Sequence, residues 1–348
     1  MRVTAIIFMF MAAALVAAPS PEVLRVREWR AKNEGRILIE LIDLLSLPNV
    51  AANRADIAKN ADLLTAMFEK RGFTVSRWET KDSPIVFAKR DAANARGSVV
   101  FYFHYDGQAS DAKEWTRGAP YAPAAYLGNK PFVVTPQAAG VDPNVRVYAR
   151  SASDDKGPIV AFLAAMDGLI AAKANIPWTI KVVLDGEEEA GSRNFDPTMQ
   201  QRAAEVKSDL AIIVDSPRHA SGLPTVYYGS RGGASATVKV HGALGDLHSG
   251  NYGNWAPDPS MRLAKLLATM KDDTGRVLIK DFYRDVRPLT ATERQALAAA
   301  GLSRAPRAGN RRPCRVFQWR WVVITLSVLS RTHTLQQGRA RAAGAAAE

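Results

Sequence analysis

The sequence predicts an α/β protein. Its larger part is a mixed, largely parallel sheet covered by helices on both faces, and a smaller α+β domain is inserted after it. Strand-like runs alternate with helical patterns as far as about residue 214, which is typical of such sheets. Near Thr225 the pattern changes to strands that alternate their faces, followed by an amphipathic helix. The length of 348 residues also favours two domains.

The elements of the larger domain follow from apolar periodicity. Apolar residues three and four positions apart predict helices, and short runs rich in branched and aromatic residues predict strands. In chain order these are helices at 23–45 and 52–71, strands at 73–78, 84–88 and 98–103, a helix at 157–172, and strands at 178–184 and 209–214. An α/β sheet places its functional site at the carboxyl ends of its strands.

The smaller domain is predicted from strands at 225–228 and 235–240 and a helix at 259–270. We therefore place the larger domain at 19–226 and a partial smaller domain at 227–304.

The first 18 residues are typical of a secretory signal peptide. A basic start at Arg2 precedes an apolar run over 5–18, which ends in small residues before two prolines. This run is shorter than the roughly 18 to 20 apolar residues that a membrane span needs. We expect cleavage after about Ala18 and an exported protein, periplasmic or secreted, with no membrane span after cleavage. Its one cysteine excludes an internal disulfide.

The net charge of +12 is typical of proteins that bind nucleic acids or anionic membranes. However, residues 305–348 hold eight arginines and a single acid, and thus +7 of that balance. Residues 19–304 carry only +4, which is ordinary for a soluble enzyme. We therefore expect no nucleic-acid partner.

Acidic and histidine clusters follow the predicted strands. His104 and Asp106 end one strand, and residues two apart in an extended segment point the same way. Asp154 and Asp155 precede a helix, three glutamates at 187–189 follow the next strand, and Asp215 follows another. The carboxyl ends of these strands should bring the clusters to one pocket.

Crowded carboxylates repel each other, and a divalent cation removes that cost. Imidazole with carboxylates and no thiolate suits a catalytic zinc site, with one or two ions. Each cluster alone also has an ordinary explanation. His104 could be a core histidine, the aspartate pair a helix N-cap, the glutamates a solvated run and Asp215 a turn residue. Together they favour metal, and both explanations can hold for the aspartate pair, since one carboxylate can cap the helix while the other binds.

Three clusters lie in longer motifs. Their sequences are HYD (104–106), SDDKG (153–157) and GEEEAGS (186–192). In this order they resemble the dinuclear zinc peptidase family of carnosinases, cytosolic nonspecific dipeptidases, aminoacylases and glutamate carboxypeptidases. The later segments GDLHSG (245–250) and KDFY (280–283) look most like the carnosinase-type dipeptidase branch.

The resemblance makes 19–226 a zinc-binding catalytic domain and 227–304 a partial lid or dimerisation domain. It also implies metal ligands by position. His104 and Asp215 would bind one zinc ion, Asp154 would bridge two, and Glu189 would bind the second. Members of the family hold two zinc ions per subunit. The histidine that completes the second zinc site in the family is not found here, so this chain would hold either two zinc ions or only the first.

The resemblance also implies roles beyond the metal ligands. Glu188 would be the general base, and Asp106 would orient His104. The Asp154–Asp155 peptide would be cis, and His248 would reach the site of a partner subunit in a homodimer and stabilise the reacting carbonyl oxygen. The implied function is hydrolysis of the amide bond of dipeptides or short peptides by a metal-activated water. The alternatives are an N-acyl amino-acid amidohydrolase with the same site and a catalytically impaired fragment.

The resemblance runs from about residue 33 to 302 and then stops. Residues 305–348 are rich in arginine and alanine, which is typical of translation in a wrong frame, so we expect a frameshift or assembly error near 303–307. In the family, the catalytic domain resumes with further strands after the inserted small domain. This return segment is not found here, so one edge of the sheet would be left unpaired. We therefore expect a weakly stable and poorly active chain.

Overall fold

The computed structural model describes residues 19–216, 225–227, 233–299 and 321–329. The chain divides into two compact units, Met1–Pro217 and Arg218–Glu348. The predicted signal peptide lies outside the described residues, as does the predicted basic tail except for residues 321–329.

Among the residues that the structure describes, the first unit contains five α-helices, two short 3-10 helices (Ala112–Glu114 and Glu188–Ala190) and eight strands. The helices are α1 (Pro21–Leu45), α2 (Arg54–Glu69), α3 (Lys156–Ala171), α4 (Phe195–Gln201) and α5 (Ala203–Val206). The strands are β1 (Thr74–Trp78), β2 (Ile85–Arg90), β3 (Gly97–His104), β4 (Ala124–Leu127), β5 (Lys130–Phe132), β6 (Val145–Tyr148), β7 (Trp178–Asp185) and β8 (Leu210–Ile213). The predicted helices and strands of this unit are confirmed to within a few residues at each end. The small antiparallel sheet β5-β4-β6 was not predicted.

The main sheet is mixed, in the order β1-β2-β7-β3-β8. The pairs β1–β2 and β2–β7 are antiparallel, whereas β3 pairs in parallel with both β7 and β8. In the described part of the chain β8 pairs only with β3 and ends the sheet, as expected of an open edge.

Alternating side chains of the sheet build a core on each face. On one face Phe103 and Leu184 pack with Leu64 and Leu163 of helices α2 and α3. On the other face Phe87 and Val183 pack with residues of α4 and α5. Both faces are thus covered by helices, and the predicted fold class is confirmed.

Local side-chain bonds fix where the helices begin. The hydroxyl of Ser20 accepts a hydrogen bond from the Val23 amide at the start of α1, where Pro21 is already confined to helical geometry. The side chain of Asn53 accepts from the Asp56 amide at the start of α2. The Asn53 cap sets the end of the α1–α2 loop, and Asn49 of this loop is hydrogen-bonded to Tyr105, the residue after β3.

In the second unit the structure describes β9 (Gly233–His241), α6 (Ser249–Tyr252), α7 (Pro259–Ala268), α8 (Ala291–Ala299) and β10 (Trp321–Leu329). Strand β10 runs parallel to β9. The strand predicted at 225–228 is wrong over the described residues 225–227, which form no regular structure. Val226 is 72% exposed, so the alternation there has no buried face to stabilise it. Among the described residues, no helix is both long enough and apolar enough to cross a membrane.

Candidate metal centre

The carboxyl ends of β3, β7 and β8 meet at one edge of the sheet. His104 at the end of β3 is in register with Asp185 of β7. Tyr102 is in register with Ile213 of β8, so Asp215 follows at the level of His104. Parallel pairing therefore brings side chains from three separate strands to one place.

His104 lies at the centre of this cluster and is fully buried. Its Nε2 lies 2.7 Å from Asp154 Oδ1 and 4.0 Å from Asp215 Oδ1, and its Nδ1 lies 3.3 Å from Asp106 Oδ1. Burial alone would lower the pKa of His104, but hydrogen bonding to Asp106 and Asp154 raises it to about 11. Three carboxylates, Asp106, Asp154 and Asp215, thus surround a single imidazole.

Asp106 links the histidine to the glutamate loop. Its carboxylate is fully buried and accepts hydrogen bonds from the backbone amides of Glu188 and Glu189, both at 3.0 Å. The same carboxylate faces His104 Nδ1. One side chain therefore holds the backbone that carries both glutamates and places its negative charge beside the imidazole.

The ligand atoms of His104, Glu188 and Asp215 lie within 4.8 Å of one another. Burial is the main cause of the raised pKa of Glu188 and of Asp215. The charge of Asp215 raises the pKa of Glu188 further, and the charge of Asp154 raises that of Asp215. Burial also raises the pKa of Glu189, whose Oε2 accepts from Gln108 Nε2 at 2.8 Å. This is an arrangement of half-buried carboxylates around one imidazole.

The aspartate pair forms the turn before α3. The Asp154–Asp155 peptide bond is cis, as the resemblance implied. Asp154 is the outward member, with its side chain 64% exposed and turned to His104 Nε2. Asp155 is buried, and its Oδ2 accepts the His104 backbone amide at 3.2 Å.

The alternative in which a carboxylate of this pair caps the helix is not realised. Asp155 occupies the N-cap position of α3, but its side chain makes no capping bond. The carboxylate instead accepts a hydrogen bond from the buried backbone amide of His104. Burial raises the pKa of Asp155 to about 8.

Sequence reasoning missed two residues that support the site. Asp185 is fully buried and accepts from Ser192 Oγ at 2.6 Å and from the Glu187 amide at 3.1 Å, which anchors the glutamate loop at both ends. Gln108 holds Glu189. The position of Asp185 as the last residue of a buried strand was the available signal, whereas nothing local marks Gln108.

The predicted His248 lies in the second unit. It is exposed and caps α6, accepting the Gly250 amide on Nδ1 at 3.1 Å. The other six of the seven predicted site residues lie together in the first unit. They are His104, Asp106, Asp154, Glu188, Glu189 and Asp215.

The donor set fits a divalent metal of the zinc type. It offers one imidazole nitrogen and several carboxylate oxygens, with no thiolate. Within the described part of the chain, the ion pairs of Asp106, Asp154 and Asp215 are all with His104 itself. A bound cation would supply the missing positive charge.

The chain is similar to known metallopeptidases. Residues 100–318 match the model of peptidase family M20/M25/M40. Human Beta-Ala-His dipeptidase is 30% identical over 212 residues, which is 60% of this chain and 38% of that protein. Cys-Gly metallodipeptidase dug1 of Schizosaccharomyces pombe is 26% identical over 278 residues, or 75% of this chain and 55% of that protein.

A solved structure gives the same result. The M20 family metallo-carboxypeptidase Sso-CP2 from Sulfolobus solfataricus superposes with a TM-score of 0.59 at 30% identity, over 76% of this chain and 56% of that one. This chain therefore spans only about half the length of the proteins it matches.

Proposed function

Because the chain belongs to peptidase family M20/M25/M40, we propose that it is a zinc-dependent hydrolase of the amide bond of dipeptides or short peptides. The observation that carries the proposal is the convergence of His104, Glu188 and Asp215 within 4.8 Å at the strand ends. The dipeptidase names of two similar proteins support the substrate class.

His104, Asp154, Glu189 and Asp215 would hold the metal. Bound zinc would supply Lewis-acid polarisation of the scissile carbonyl and a lowered pKa of the attacking water. Asp106 lies 3.3 Å from His104 Nδ1 and would orient the imidazole, as metal-bound histidines require.

Glu188 would act as the general base. It would accept a proton from the water that attacks the carbonyl carbon and deliver that proton to the departing amine as the C–N bond breaks. Its backbone amide is fixed by Asp106, so its carboxylate is carried on a rigid support beside His104. A partner subunit in a homodimer would contribute a second copy of His248 to stabilise the carbonyl oxygen.

The decisive variant is Glu188→Gln, which keeps the shape and removes the base. We expect kcat to fall about 10²- to 10⁴-fold with metal content unchanged. Glu205→Gln is the matched control, because Glu205 is an exposed glutamate paired with Arg202. Because the sequence predicts weak activity, the rate of hydrolysis is measured in single-turnover reactions with the enzyme in excess over the substrate. Equal rates for Glu188→Gln and the wild type would overturn the proposal.

The same assay separates the two substrate classes. A dipeptide panel and an N-acyl amino-acid panel are compared at equal zinc loading, and we expect faster cleavage of the dipeptides. Faster cleavage of the N-acyl amino acids would favour the amidohydrolase alternative.

We also propose that the protein is exported and forms a homodimer. The first zinc ion would be held by His104, Asp154 and Asp215. The number of metals is read from zinc per chain by elemental analysis, the oligomeric state from light scattering, and export from the N-terminus of the mature protein.

A further inference from the structure

The α1–α2 loop carries a residue that none of the sequence motifs singled out. Resting on the proposed function, we propose that Asn49 is a positioning residue that holds two ligand-bearing loops of the metal centre at a fixed spacing. These loops are residues 104–107, which carry His104 and Asp106, and residues 151–156, which carry Asp154.

Asn49 is fully buried and bonds to both loops through one amide nitrogen. Its Nδ2 donates to the carbonyl of Tyr105 at 2.7 Å and to Ser151 Oγ at 2.9 Å. The Gly107 amide donates to the Asn49 carbonyl at 2.9 Å. Tyr105 lies between His104 and Asp106 in the chain, so these bonds clamp the backbone that aims both side chains.

Asn49 and the two loops are packed closely around Gly107. A Cβ atom on Gly107 would lie 2.4 Å from Ser151 Oγ and 3.1 Å from Asn49 Oδ1. Ser151 itself has a φ of 61°, a conformation uncommon for residues other than glycine. The two loops and Asn49 therefore meet at van der Waals distance, and a change in any one of them displaces the others.

A second tie joins the same segment to the aspartate turn. Lys156 is buried, and its Nζ donates to the carbonyls of Leu44 and Leu47 at 2.8 and 2.9 Å. Lys156 directly follows the Asp154–Asp155 pair. The end of α1 and the loop after it thus support both loops through side-chain-to-backbone bonds, which depend little on side-chain identity at Leu44 and Leu47.

Asn60 offers a matched control. It is also a fully buried asparagine, and its Nδ2 also donates to two acceptors, the carbonyls of Pro48 and Asp56, both at 2.8 Å. These bonds brace the same α1–α2 loop but reach neither ligand loop. Loss of Asn60 should therefore cost stability without disturbing the metal centre.

The test compares Asn49→Ala with Asn60→Ala in the full chain. Zinc Kd is measured by chelator competition, the visible absorption of the Co²⁺ form is recorded, and Tm is measured without metal. We expect both variants to lower Tm, but only Asn49→Ala to weaken zinc binding, by about 10- to 100-fold, and to change the Co²⁺ spectrum.

Ser151→Ala covers the case in which Asn49→Ala does not fold, because it removes only the acceptor of one Asn49 bond. It should weaken zinc binding less than Asn49→Ala and in the same direction. Zinc affinity and Co²⁺ spectra of both variants equal to those of Asn60→Ala would overturn the positioning role while leaving the hydrolase intact. A wild type that binds neither metal would overturn the proposed function and this inference with it.

Discussion

Strands β7 and β8 flank β3 on either side, both in parallel, yet they differ in burial. Leu184 of β7 is fully buried, whereas Leu210 and Ile213 of β8 are 51% and 68% exposed. The loop after β7 is held by Asp106 and Asp185, but Asp215 after β8 keeps a side chain that is 32% exposed. The metal centre therefore has one rigid side and one open side.

The largest effect should separate the two strands directly. Leu184→Ala should lower the free energy of unfolding by about 2 to 5 kcal/mol, because it leaves a cavity between sheet and helices. Leu210→Ala, the same change on the open strand, should stay within about 0.5 kcal/mol. Urea unfolding followed by circular dichroism measures both. Equal losses would mean that β8 is as well packed as β7.

Metal removal should come next in size. If zinc binds only the folded centre, zinc at 100 times its Kd stabilises the chain by about 2.7 kcal/mol. Chelation with EDTA should therefore lower Tm, and added zinc should restore it. A Tm that is unchanged by EDTA would argue against a metal that is coupled to folding.

The smallest effect should distinguish the carboxylates of the two sides. Asp106→Asn should cost about 1 to 3 kcal/mol of unfolding free energy in the metal-free protein, since one buried amide of Glu188 or Glu189 loses its acceptor. Asp215→Asn should cost less, because its side chain is partly solvated. Denaturant unfolding of the metal-free variants provides the comparison, and a larger loss for Asp215→Asn would reverse the assignment of the rigid side.

Much of this organisation was predictable because it is local. Apolar periodicity located the helices α1, α2 and α3 and the strands of the main sheet. The motifs placed His104 and Glu188 at the ends of strands β3 and β7, where parallel pairing brings them together. The strand at 225–228 was wrong because alternation stabilises a strand only where one face is buried.

The amino-acid sequence by itself determined the family, the fold class and the residues that could bind metal, because these depend on motifs and on short-range patterns. Only the tertiary structure decided which buried partners orient them. Asp106 fixes the glutamate loop, Asp155 turns to His104 instead of capping α3, and Asn49 joins two loops. These bonds link segments distant in the chain, and a buried polar group takes whichever partner the packing brings within reach.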